Sequence, residues 1–168
     1  MAKVPKEDKA TVESFSSFLE KLNRKIIART GGTLGEVNKG VLDFSVWRAL
    51  VARRKASREE RNVAFAASLL KHIAEWHPFK DGNKRTAYIA AKLMLLQEEQ
   101  NLLYLKIPYE KTIEYIIKIA QKSYTEEQIR AWLKKNSIDK SEIDAKTTEK
   151  IKMFFDIITK IAARRVRR

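Results

Sequence analysis

Residues 76–87 read WHPFKDGNKRTA, and within them a histidine, an aspartate, a Gly-Asn pair and three cations fall between His77 and Arg85. These residue types suit phosphate chemistry. His77 can take a proton near neutral pH, so it is a candidate general base for a protein hydroxyl. Asp81 is a hard oxygen ligand of the kind Mg²⁺ uses beside phosphates. Gly82 lets the backbone approach an anion with no side chain in the way, and Asn83 can cap a helix or bond a phosphate oxygen through its amide. A helix N-terminus here would offer unpaired N–H groups and a positive dipole end. Lys84 and Arg85 would sit in its first turn, where acids are preferred, a local cost that a bound polyphosphate reverses. Phe79 is expected to anchor the loop by burying its ring. Singly, each residue has a plainer reading: a structural histidine, ordinary turn pairs, solvated cations. The combination points to phosphoryl transfer.

The elements that must hold this loop are helical, because the chain has only five glycines and three prolines to break them. Residues 8–29 carry Val12, Phe15, Phe18, Leu19, Leu22, Ile26 and Ile27 at helical spacing and stop at Gly31-Gly32. Between there and Ser57 the alternation in VLDFSVW (41–47) predicts an extended segment or short hairpin. Ser57 and Glu60 have capping-box spacing, and Val63, Ala66, Ala67, Leu70, Ile73 and Ala74 form the stripe of a helix ending near Trp76, with Pro78 closing it. A helix from about Lys84 to Gln100, apolar on nearly every side, belongs in the middle of a bundle. Pro108 opens another through Ile113, Ile116, Ile117 and Ala120, and Thr125 with Gln128 caps a short one containing Ile129, Trp132 and Leu133. NSIDKSEIDAK then reads as a linker, and Thr148 to about Ala163 as a last amphipathic helix. The expected fold is all-α.

Composition narrows the classes. At 168 residues and 19.5 kDa the chain fits one domain. It has no cysteine, which removes disulfides, cysteine metal sites and thiol nucleophiles. Neither a membrane-spanning run nor a signal-peptide stretch is evident, so a soluble, cytoplasmic protein is expected. The net charge of +14 favours polyanions or acidic partners without naming one. The basic residues are spread along the chain, with local clusters at ARRK (52–55) and ARRVRR (163–168), and the basic tail is a candidate nucleic-acid contact. A metal-hydrolase reading is weak, since His72 and His77 are not spaced to share one helix face.

HPFKDGNKR resembles the signature of the Fic/Doc superfamily, roughly H-x-F-x-(D/E)-(G/A)-N-(G/K)-R, and its K-R ending is similar to the Doc (death-on-curing) branch. A weaker likeness runs from GGTLGEV to about residue 135. The resemblance implies a compact Fic/Doc-type helical bundle, ATP with Mg²⁺, and transfer of part of the nucleotide to a Ser, Thr or Tyr hydroxyl of a protein target. It implies a catalytic domain over 1–136, with its core at about 30–135, followed by the linker, helix and tail of 137–168. By position, His77 would be the general base, Phe79 a core anchor and Asp81 the Mg²⁺ ligand. Gly82 and Asn83 would form the anion hole, while Lys84 and Arg85 would hold the phosphates and stabilise transition-state charge.

Two departures from the nucleotidyl-transferring pattern bear on reaction type. Lys84 stands where those enzymes have Gly, and Tyr88 where they have a second Arg. Both resemble Doc, which transfers the γ-phosphate, so a kinase-type reaction is favoured over AMPylation. Gly82 points back, because Doc has Ala there. The likeness also implies an elongation-factor target and an antitoxin partner. An intramolecular inhibitory glutamate is the other family device: Ser16 and Glu20 have the (S/T)-x-x-x-E spacing, but Lys21 follows where Gly or Asn belongs. The competing class is a non-catalytic helical interaction or nucleic-acid-binding protein.

Overall fold

The computed structural model describes residues 4–35, 38–95, 104–105 and 109–138. Among them run α1 (Lys9–Thr30), α2 (Lys39–Lys55), α3 (Arg61–Trp76), α4 (Asn83–Leu95), α5 (Tyr109–Ala120) and α6 (Glu126–Lys135). Two-residue strands β1 (Tyr104–Leu105) and β2 (Ser137–Ile138) pair antiparallel, Tyr104 opposite Ile138, so the polar segment after α6 begins as a strand. The fold is the expected all-α bundle. The amphipathic helix from Thr148 to Ala163 and the tail arginines Arg164, Arg165, Arg167 and Arg168 lie outside the described residues.

The bundle is built around α3, which packs against α2, α4, α5 and α6. This corrects the placement of α4 at the centre. Every residue from Val63 to Leu70 is buried, as are His72, Ile73 and Ala74. Four alanines, Ala64, Ala66, Ala67 and Ala74, are wholly inaccessible and let neighbouring helices approach from several sides. By contrast α4 keeps Lys84 in solvent and leaves Tyr88 and Ile89 only half-buried.

VLDFSVW is not extended and forms no hairpin; it lies inside α2. Its true period is helical, with Leu42, Ser45, Val46, Ala49 and Ala52 on the buried face. The misleading alternation comes from a second apolar flank. There Phe44 packs on Trp47 (centroids 5.3 Å apart) and on Trp76 (5.6 Å). Asn38 starts the helix by accepting from the Val41 N–H at 3.3 Å.

The Ser57–Glu60 capping box does not form. Ser57 makes no side-chain cap, and Arg58–Glu60 is a 3₁₀ turn that runs into α3. The Thr125–Gln128 box does form, with Thr125 Oγ1 accepting from Gln128 N at 3.2 Å and Gln128 Oε1 accepting from Thr125 N at 2.8 Å. Upstream, buried Asp8 ties the N-terminal turn Lys6–Asp8 to α2. It accepts from Trp47 Nε1 at 3.2 Å and from both terminal nitrogens of Arg54, which hold its carboxyl below the usual range.

Candidate active site

Residues 77–82 join α3 to α4, and two backbone hydrogen bonds pin this loop to the α1–α2 connection: Lys80 N–H to Gly35 O at 2.9 Å, and Asn38 N–H to Pro78 O at 3.4 Å. Phe79 is buried at 2% exposure, the anchor its position promised. Asn83 makes a reciprocal pair with it. The Phe79 N–H donates to Asn83 Oδ1 at 2.9 Å, and Asn83 Nδ2 donates to Phe79 O at 2.8 Å. The Asn83 side chain therefore neither caps α4 nor reaches out for a phosphate; its contribution to an anion is the backbone N–H at the helix start.

His77 ends α3 in the left-handed region, φ 48° and ψ 60°, a conformation that costs a non-glycine residue about 1–2 kcal/mol. Its ring is exposed, with Nδ1 3.1 Å from Glu75 O. A carbonyl can only accept, so Nδ1 carries the hydrogen and Nε2 keeps the lone pair. A base needs that tautomer.

Asp81 stands at the other side of the loop. The Gly82 N–H donates to its Oδ1, and Arg85 reaches the same oxygen at 3.2 Å. The Gly82 bond first, then the Arg85 charge and the Thr33 N–H, keep the carboxyl below the ordinary carboxylate range, hence ionised at neutral pH. Gly32 packs so closely here that a Cβ on it would lie 2.2 Å from Asp81 Oδ2. Arg85 is folded back onto the end of α1, donating to Thr30 Oγ1 and to Gly31 O at 3.3 Å. Lys84, one residue earlier, is exposed.

Gly82 is fixed by two constraints. Its φ is +74°, and an added Cβ would lie 2.9 Å from both Asn23 Nδ2 and Ile27 Cδ1. Asn23 itself was not foreseen. Buried on α1, it donates to Asp81 O at 2.8 Å and to Thr86 Oγ1 at 3.0 Å, fastening the loop and the first turn of α4 to α1. The signal was present as a polar residue between Leu22 and Ile26 on a largely apolar face.

Together His77, Lys80, Asp81, Gly82, Asn83, Lys84, Arg85 and Tyr88 form one wall of a cavity of about 520 Å³; Thr112, Ile113, Ile116 and Ile117 of α5 form the other. The α5 wall is a second unforeseen part. Ile113 and Ile117, expected in the core, are each 38% exposed and face this cavity, while Thr112, Ile116 and Ile119 are buried. Glu20 is not in the cavity. It pairs with Lys39 at 3.8 Å and lines a separate depression with Asn23, Arg24, Leu34, Gly35 and Phe79. His72 is buried between Ser68 (Nδ1 to Oγ, 3.1 Å) and Glu126 (Nε2 to Oε1, 3.5 Å), away from His77's cavity.

Residues 14–95 match the Fic/DOC family model, from α1 through the whole loop to the end of α4. The match supports Fic/Doc membership. Members of this family are generally enzymes that transfer phosphate or nucleotide to proteins, which suggests protein-modifying transferase activity in general. The matched segment supplies the loop wall of the cavity, and α5, beyond the matched residues, supplies the apolar one. No curated protein matches the chain. Among the described residues no helix is long and apolar enough to cross a membrane, and no cluster of three or more His, Asp or Glu could hold a metal.

Proposed function

We propose that this protein transfers the γ-phosphoryl group of ATP to a Ser, Thr or Tyr hydroxyl of a protein target. The observation that carries the reading is the pairing, within one cavity, of a base-competent His77 with the cationic start of α4. The target hydroxyl gives its proton to His77 Nε2 as its oxygen attacks the γ-phosphorus, the bond from that phosphorus to the β–γ bridging oxygen breaks, and ADP leaves. The backbone N–H of Asn83 and, once released from Asp81 Oδ1, that of Gly82, with Lys84 and Arg85, would hold the phosphate oxygens and the charge that develops on them. The donor set fits Mg²⁺, which commonly takes one or two carboxylates and draws its remaining ligands from phosphate and water. Asp81 would be that carboxylate, and the ion would screen polyphosphate charge. Arg85 must then let go of Asp81 and turn to the phosphates, which also frees it from Thr30.

Phosphoryl transfer is favoured over AMPylation by Lys84 and Tyr88, both of which line the cavity. Gly82, which had pointed the other way, is accounted for by its positive φ and the crowding of Asn23 and Ile27. The proposal extends to a cytoplasmic setting, an elongation factor as target and an antitoxin as partner, in line with the Doc resemblance. Glu20, held by Lys39 outside the cavity, does not support self-inhibition. The test is incubation with a cell lysate and ATP labelled at either the α- or the γ-phosphate. Label on protein from the γ position alone is expected; label from the α position replaces the proposal with AMPylation, and label from neither defeats both.

A further inference from the structure

A second depression, open to solvent and of about 560 Å³, lies between α2, α3 and the α5–α6 turn and shares no lining residue with the first. Cations enter it from four elements: Arg48 and Lys55 of α2, Lys71 of α3, Lys122 of the turn and Arg130 of α6. Against these five stand two carboxylates, Glu126 and Glu127, leaving a net +3. Several of these charges are fixed in place. Lys71 is tied to Glu75 and donates to Tyr124 O at 2.8 Å, while Arg48 lies 3.5 Å from Glu126. Arg130 has its Nε buried without an acceptor among the described residues, an unmet donor that a bound anion would satisfy.

The positive field is felt nearby. Burial first, then the charges of Arg48 and Lys71, hold the neighbouring His72 down to about 4 despite Glu126 beside it. Exposed Arg53 extends the basic run along α2. An aromatic group accompanies the charge, since Tyr124 lines the depression and ends a stack in which Trp132 and Tyr115 lie 4.0 Å apart and Tyr115 and Tyr124 4.5 Å. Fixed cations beside a ring suit a chain of phosphodiesters with bases to stack, whereas an acidic peptide would use the charges alone.

We propose that this depression docks the backbone of single-stranded nucleic acid, apart from the cavity of group transfer. The experiment uses the full chain and fluorescent RNA and DNA oligomers of about twelve nucleotides, long enough to span such a site, with anisotropy read across a salt series. Binding is expected to weaken with salt, and the better-bound oligomer names the natural source. Lys55→Glu with Lys122→Glu, both exposed, should weaken binding at least about tenfold and reduce the log–log salt slope by about 1.4, the share of two phosphate contacts on a single strand. The milder Lys55→Gln with Lys122→Gln reads the same slope should charge reversal disturb the thermal melt. Tyr124→Ala should weaken oligomer binding and leave pyrophosphate binding unchanged, and His77→Ala should bind as the parent does. The proposal is overturned by absence of binding, by an equal loss in the α1 control pair Lys9→Glu with Lys25→Glu, or by poly-glutamate binding as tightly as the oligomers.

Discussion

At the scale of single residues the loop holds opposed requirements together. His77 sits in a left-handed conformation that a histidine does not favour, yet there its ring stays exposed while Nδ1 bonds to Glu75 O of the last turn of α3. His77→Ala is therefore expected to abolish group transfer while the circular-dichroism melt stays within about 1 kcal/mol of the parent, since the ring is exposed and makes no core contact; retained transfer would assign the base elsewhere. Gly82 is the reverse case, a residue whose value lies in what it lacks. Gly82→Ala should destabilise the fold by about 1–3 kcal/mol in urea titration, from positive φ and from crowding of Asn23 and Ile27. An unchanged midpoint would mean that the loop moves freely off α1.

Among the elements, α1 is the platform on which the loop and α4 rest. Asn23 fastens both through buried bonds, and Thr30 with Gly31 holds Arg85 from the same helix end. Asn23→Ala should cost about 1–3 kcal/mol, because it leaves the Asp81 carbonyl and Thr86 without their donor. It should lower transfer more than that loss of stability explains, since the positions of His77 and Asp81 are set by the loop path. Full activity per folded molecule would show that the backbone bonds from Lys80 and Asn38 suffice.

For the whole molecule, the titrating groups predict a one-sided pH response. His72 is held down to about 4 against an ordinary 6.5, so the unfolded chain takes up its proton first as pH falls. That contribution, roughly 3 kcal/mol, is complete above pH 6.5 and is lost on descending to about 4. Asp8 and Asp81 also have lowered folded values, chiefly through the hydrogen bonds from Arg54 and from Gly82. Their share is present above the ordinary carboxylate range and disappears below it. Urea midpoints measured from pH 7.5 to 3.5 should fall once the pH drops to about 6.5 and keep falling below it, and His72→Gln should flatten the upper part of that fall; an unaltered slope there would assign it to other groups.

The sequence by itself determined the helical class, the limits of α1 and α6, the end of α3, the Thr125 cap, the buried Phe79 and the position of the loop at a helix start. These follow from spacing, breakers and residue chemistry within a few turns of chain. Tertiary structure decided what depends on residues far apart in sequence. It made α2 a helix by giving Phe44 a second aromatic neighbour in Trp76 besides Trp47, and it committed Asn83 to Phe79. It turned Arg85 onto Thr30 and Asp81, kept Glu20 beside Lys39, and brought Ile113 and Ile117 over the loop. A local pattern fixes which face of a helix is apolar, but only packing settles whether that face meets the core or the wall of a cavity.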